Sequence, residues 1–114
     1  MKLPNAEAAD IPLPKMRNYL LDPEHPEGGG KAVFFLAMGF HPDRWQLLAD
    51  AIREMIGAAP VTQRVESRHG TKYIVAGNLM TPIARSVHVR TVWIIESGES
   101  VPRFVTAYPL NETR

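Results

Sequence analysis

Two pairs of residues in HVRTVWIIESGESVPRFVTAYP, residues 88 to 109, are of types that act on charge and on protons. His88 and Arg90 stand in the first alternating run, Thr106 and Tyr108 in the second. Residues two apart in a strand share a face, so each pair presents its side chains together. Histidine takes or gives a proton near neutral pH. Arginine offers a planar fork to a phosphate or carboxylate. Hydroxyls of Thr and Tyr orient such a group. Earlier, PEHPEGGGK supplies His25, in a proline-flanked loop, and Lys31, after three glycines at a helix start. Backbone N–H groups and a cation pointing one way suit an anion; the other reading of GGGK is a flexible surface loop. A Walker-type phosphate loop is excluded. His25 stands where its first Gly belongs, Ala32 where Ser or Thr must follow the Lys, and no strand precedes it.

The remaining candidates narrow the chemistry. His25, His41, His69 and His88 show no metal-ligand spacing, so no metal site is expected. His41 goes with a helix start and His69 with a turn. Arg90 lies in an otherwise apolar strand, where a guanidinium is costly unless it meets a partner or a ligand. A salt bridge to Glu66 across the sheet is one solution, and a bound anion is the other.

The elements that must position these residues follow from periodicity. Residues 1–13, rich in Pro and Ala, read as an extended arm wrapping the surface. Pro14 suits a first helical turn, and KMRNYLLD makes a short helix with Met16, Tyr19 and Leu20 on one side, stopped by Pro23. KAVFFLAM is apolar nearly all round and reads as a buried helix ended by Gly39. In HPDRWQLLADAIREMIG, Trp45, Leu48, Ala49, Ile52, Met55 and Ile56 follow helical spacing, with Pro42 to open the helix and Gly57 to close it. After Pro60 the period changes to two, and PVTQRVES, TKYIVAG, SVHVRTVWIIE and RFVTAYP read as strands joined at 69–70, 78–85 and 97–102. No helix for a parallel crossover lies between them, which implies a sequential antiparallel sheet. The expected fold is a single α+β domain over 1–114, with a helical part at 14–57 and a sheet at 60–109. Three N-terminal helices pack on one face of the four-stranded antiparallel sheet.

In the third strand Val87, Val89, Thr91, Trp93 and Ile95 should face the helices, leaving Ser86, His88 and Arg90 on the open face. The fourth strand is ambiguous: either Val105 and Ala107 enter the core, or Phe104, Thr106 and Tyr108 do. If the small residues lie under the helices, Thr106 and Tyr108 join Arg90.

Composition sets the outer limits. The apolar fraction of 45% and charged fraction of 22% suit a soluble globular domain. The absence of cysteine excludes disulfides and thiolate metal sites. The start MKLPNAEAADIPLPK has no apolar core of a secretory signal, and no apolar run approaches the roughly 20 residues of a membrane span. A cytoplasmic location is expected unless a larger polypeptide carries the domain out. Net charge is only +1, but residues 58–114 hold seven Lys/Arg against four Asp/Glu. That half suits phosphates, although solvated arginines on a sheet would give the same count.

LPNAE, LLDPEHPEGGGKAVFFLAMGF and VRTVWIIESGESVPRFVTAYP together resemble a bacterial domain family of unknown function. Its members occur as small stand-alone proteins and as C-terminal modules of larger ones. HP-x-G-x-x-KA and VRTVW…PRFVTAYP carry the resemblance, which is weakest over 43–70. Where the family tends to place Gly before Arg85, this chain has Ala84. The order of helices and strands is also similar to the barnase–EndoU–colicin–RelE group of metal-independent ribonuclease toxins, which line an open sheet face with His, Arg or Lys and a Ser, Thr or Tyr. By that analogy of architecture the chain would be a toxin-type endoribonuclease, cutting RNA by 2′-OH attack on phosphate. His25 or His88 would be acid or base, Arg90 and Lys31 would hold the phosphate, Thr106 and Tyr108 would orient it, and an exposed aromatic would stack a base. Arg85 and Arg103 would add substrate contacts. The implied partners are RNA and a cognate antitoxin or immunity protein, with no cofactor. The alternative is a non-catalytic module whose basic sheet face docks a protein. Gathering of His25, Lys31, Arg90 and Thr106 in one cleft would favour the enzyme.

Overall fold

The change of period near Pro60 divides the molecule as expected. A computed structural model describes residues 1–110, with helices in the first half and an antiparallel sheet in the second. A turn of α-helix, Leu13–Lys15, runs directly into a π-helical turn, Met16–Leu20; together they form α1. Helix α2 spans Gly29–Ala37, and α3 spans Trp45–Ala58 after a 3-10 turn at Pro42–Arg44. Strands β1 (Val61–Ser67), β2 (Gly70–Met80), β3 (Ser86–Glu96) and β4 (Arg103–Pro109) pair in sequence order.

The apolar stripe of α3, Leu48, Ala49, Ile52, Met55 and Ile56, is buried as its spacing requires. Trp93 is fully enclosed and meets Phe104 edge-to-face at 5.3 Å. Its indole N–H donates to Thr91 Oγ1 at 2.8 Å, and that hydroxyl donates to the Val75 carbonyl at 2.8 Å, so both of these buried polar side chains are paired.

Four expectations need correction. The N-terminal arm does more than wrap the surface: Leu3, Ala9 and Ile11 enter the core, and Asp10 bridges to Arg103 beside β4. Helix α2 buries one face only, since Ala32 and Phe35 are enclosed but Val33 is 60% exposed. Strand β2 continues past Gly77 to Met80 because Leu79 keeps the alternation and is fully buried opposite Val87. The β2–β3 turn is therefore only 81–85, closed by Thr81, whose N–H and hydroxyl both donate to the Arg85 carbonyl. Ala84 in that turn has φ 59°, left-handed backbone that glycine adopts more cheaply.

The ambiguity of β4 has a physical origin. Val92 pairs with Thr106 but Trp93 pairs with Phe104, so Val105 is an extra residue, a β-bulge. The bulge reverses the alternation once. Phe104 and Ala107 therefore both lie buried under the helices, while Thr106 and Tyr108 share the opposite face with Arg90.

Candidate active site

The bulge places Thr106 where the helical layer reaches the edge of the sheet. Lys15 of α1 donates to the Val105 carbonyl at 3.0 Å, anchoring α1 to the outer side of β4. Four residues on, one helical turn away, comes Tyr19, in the widened turn closed by Leu21 N–H to the Met16 carbonyl at 2.9 Å. Its phenol oxygen lies 2.9 Å from Thr106 Oγ1. Lys31, in the first turn of α2, donates to that phenol at 2.6 Å and to Thr106 Oγ1 at 3.2 Å. Both ammonium groups, of Lys15 and Lys31, lie 5.0 Å from the Tyr19 ring centroid. Burial alone raises the Tyr19 phenol. The hydrogen bonds with Lys31 and Thr106 and the charges of Lys31 and Lys15 outweigh it, and the phenol sits below its usual range.

His25 packs its ring edge-on to Tyr19, centroids 5.0 Å apart. Its Nδ1 accepts the backbone N–H groups of Glu27 and Gly28, each at 3.0 Å, which leaves the ring proton on Nε2. An open cleft of about 590 Å³ is lined by Lys15, Asn18, Tyr19, His25, Glu27 and Thr106, among others. Hydroxyls, a histidine and the Lys15 ammonium therefore line one concavity, with Lys31 bonded to two of its lining side chains, the kind of place where a polyanion can be held and a proton moved.

Of the residues singled out in the sequence, His25, Lys31 and Thr106 come together here. Arg90 and Tyr108 adjoin them: Tyr108 follows Thr106 on the same face, about 7 Å along the strand, and pairs directly with Arg90. The Arg90 guanidinium lies 5.9 Å from the Tyr108 ring centroid and donates to its hydroxyl at 3.5 Å. Its Nε is buried and has no hydrogen-bond partner among the described residues. The Glu66 salt bridge is not formed: the register sets Glu66 opposite Thr71, level with Ile95 and five residues along β3 from Arg90, and Glu66 pairs with Arg64 instead. His88 lies farther along the face, its Nδ1 3.2 Å from Asn78 Oδ1. Arg85 is not part of the cleft. It sits in the β2–β3 turn, seven residues from Val92 and so about 23 Å away along β3. Arg103 is also elsewhere, bonded to Glu96 at 3.4 Å beside Asp10.

Tyr19 has no place among the functional candidates read from sequence, because Met16, Tyr19 and Leu20 read as one packing face. The signal was nevertheless present: Lys15 and Tyr19 are four apart on a short helix, which stacks a cation on a phenol. Among the described residues, no group of three or more His, Asp or Glu is placed to hold a metal ion, and no helix is long and apolar enough to cross a membrane.

The fold is similar to that of a chain in the solved complex of a contact-dependent growth inhibition toxin with its immunity protein from Klebsiella pneumoniae 342. The TM-score is 0.75 and the identity 12%, over 94% of this chain and 97% of that one. The likeness is one of fold, and it agrees with the order of helices and strands read from the sequence. No curated protein matches the sequence itself. The family model described as a domain of unknown function, DUF6883, matches residues 2–111, and the chain belongs to that family.

Proposed function

We propose that the protein is a toxin-type endoribonuclease that cuts RNA without a metal, through attack of a ribose 2′-OH on the adjacent phosphate. The observation that carries this is the cluster of Lys31, Tyr19 and Thr106, joined by hydrogen bonds of 2.6, 2.9 and 3.2 Å at the wall of a cleft shared with His25 and Lys15. Phosphodiester cleavage needs a base for the 2′-OH, an acid for the leaving 5′-oxygen and positive charge on the phosphate. Groups of all three kinds stand within one hydrogen-bonded set. Beside them, Arg90 offers a fork to a phosphate and Tyr108 a face to an unpaired base. The likeness to a chain of a toxin–immunity complex supports the toxin reading. It also supports a protein partner of immunity type, whose covering of this cleft would silence it.

The test is incubation of the purified protein with total RNA in EDTA. Fragments ending in a 2′,3′-cyclic phosphate are expected. Lys31→Met and Arg90→Ala should each lower cleavage about 100-fold or more, the scale of deleting one transition-state donor. Arg90→Lys should not restore it, for lack of the planar fork. RNA left intact by the partner-free protein, with and without divalent cations, would remove ribonuclease function and leave a basic docking module.

A further inference from the structure

Histidine is the usual proton carrier at neutral pH, yet His25 is occupied. Its Nδ1 accepts two backbone N–H groups, from Glu27 and Gly28, in the manner of an Asn side chain holding a turn. To take a proton on Nδ1 it would have to release both. Its ring instead forms a wall against Tyr19.

Tyr19 is held differently. Lys15, Lys31, His25, Thr106 and the backbone of Gly28 surround it, and its oxygen is the acceptor of the 2.6 Å hydrogen bond from Lys31. Among the described residues the one carboxylate lining this cleft is Glu27, whose backbone rather than side chain is engaged by His25. The field at the phenol is therefore set mainly by two ammonium groups, which favours its anion.

Resting on the ribonuclease function above, we propose that Tyr19 is the catalytic base and Lys31 the catalytic acid, with His25 a positioning residue only. The Tyr19 phenolate takes the 2′-OH proton. The 2′-oxygen bonds to phosphorus, the P–O5′ bond breaks, and the Lys31 ammonium gives its proton to the departing 5′-oxygen. A cyclic phosphate and a 5′-hydroxyl leave. Tyr19 is then protonated and Lys31 neutral, and the hydrogen bond between them carries the proton back. The site resets without a proton from solvent.

Three variants test this, with circular dichroism to confirm the fold of each. Tyr19→Phe keeps the ring against His25 and Gly28 but has no oxygen. Cleavage should fall by about 100-fold or more, the range for loss of a general base, while affinity for a 2′-deoxy oligonucleotide, which binds but is not cut, stays parental. His25→Asn, whose Oδ1 can accept the same two N–H groups, loses the ring wall against Tyr19 and should slow cleavage while leaving a rising limb in the pH–rate profile, because the base is still present. In alkaline titration followed by ultraviolet absorbance, one of the three tyrosines should ionise below the ordinary phenol range. That step should vanish in Tyr19→Phe and move upward in Lys31→Met, along with the rising limb of the pH–rate profile. An active Tyr19→Phe, or a folded His25→Asn whose pH–rate profile has lost its rising limb, would overturn the assignment while leaving ribonuclease function intact. A parent that cuts no RNA would overturn both.

Discussion

Gly28→Ala should damage the site without replacing any group that does chemistry. A methyl group built on Gly28 would lie 2.8 and 2.9 Å from two ring carbons of Tyr19 and 2.9 Å from the Tyr19 carbonyl oxygen. The closest of these is about 0.6 Å short of the 3.4 Å at which ordinary contact begins. The carbonyl belongs to the backbone of α1 and yields little, so the ring must turn away. A shift of that size stretches the 2.6 Å bond to Lys31 and the 2.9 Å bond to Thr106 toward or beyond the usual limit of hydrogen bonding. A misplacement of about 1 Å costs on the order of 100-fold in rate, so a fall between about 10-fold and 100-fold is expected. Overpacking should also remove about 1–3 kcal/mol of stability. Gly30→Ala is the control. Nothing lies within 4 Å of its added methyl, and the position is helical and exposed. It should cut RNA at the parental rate and gain about 0.5–1 kcal/mol. Cleavage in EDTA and urea midpoints measure both. Parental rate and midpoint in Gly28→Ala, or equal loss in Gly30→Ala, would refute the packing of Tyr19 on Gly28.

Other perturbations separate scaffold from site. Trp93→Ala empties the centre of the core and removes the donor to Thr91, so it should cost about 3–5 kcal/mol in chemical denaturation; a cost below about 1 kcal/mol would contradict the burial of that face. Ala84→Gly relieves left-handed backbone at φ 59° and should raise the urea midpoint by the equivalent of up to about 1 kcal/mol. The Tyr19 phenol is lowered in the fold, so the folded state binds fewer protons than the unfolded chain as pH rises through the interval between that lowered value and the usual value of about 10. The stability advantage of the parent over Tyr19→Phe should widen across that interval and be smallest below it, as read from urea midpoints.

The fold was legible wherever one period ran unbroken. The stripe of α3, the switch near Pro60 and the inward face of β3 all follow from spacing. It failed where a single residue breaks the count, since an alternating pattern carries no mark of the inserted Val105. It also failed where a turn-rich composition, Asn78 through Pro82, hid the buried Leu79. Side-chain type flagged His25, Lys31, Thr106 and Arg90, but type alone does not say which cation already has a carboxylate. Arg103 has Glu96, and Arg90 does not have Glu66. Tyr19 was missed because a helical tyrosine looks the same in sequence whether its ring serves the core or its hydroxyl serves a cleft.

The hydrogen bonds that define the cleft join residues far apart along the chain: Tyr19 and Thr106 are separated by 87 positions, Lys31 and Thr106 by 75. The helices that supply Tyr19 and Lys31 are made first, while Thr106 belongs to the last strand, which joins the sheet only on an already formed β3. Closing so long a loop is entropically costly and slow relative to forming the local hairpins. The constellation is thus absent from a nascent chain until β4 has emerged and docked. A destructive enzyme built this way would stay inert until its β4 segment has been made, leaving time for an inhibitor to be waiting when that strand closes.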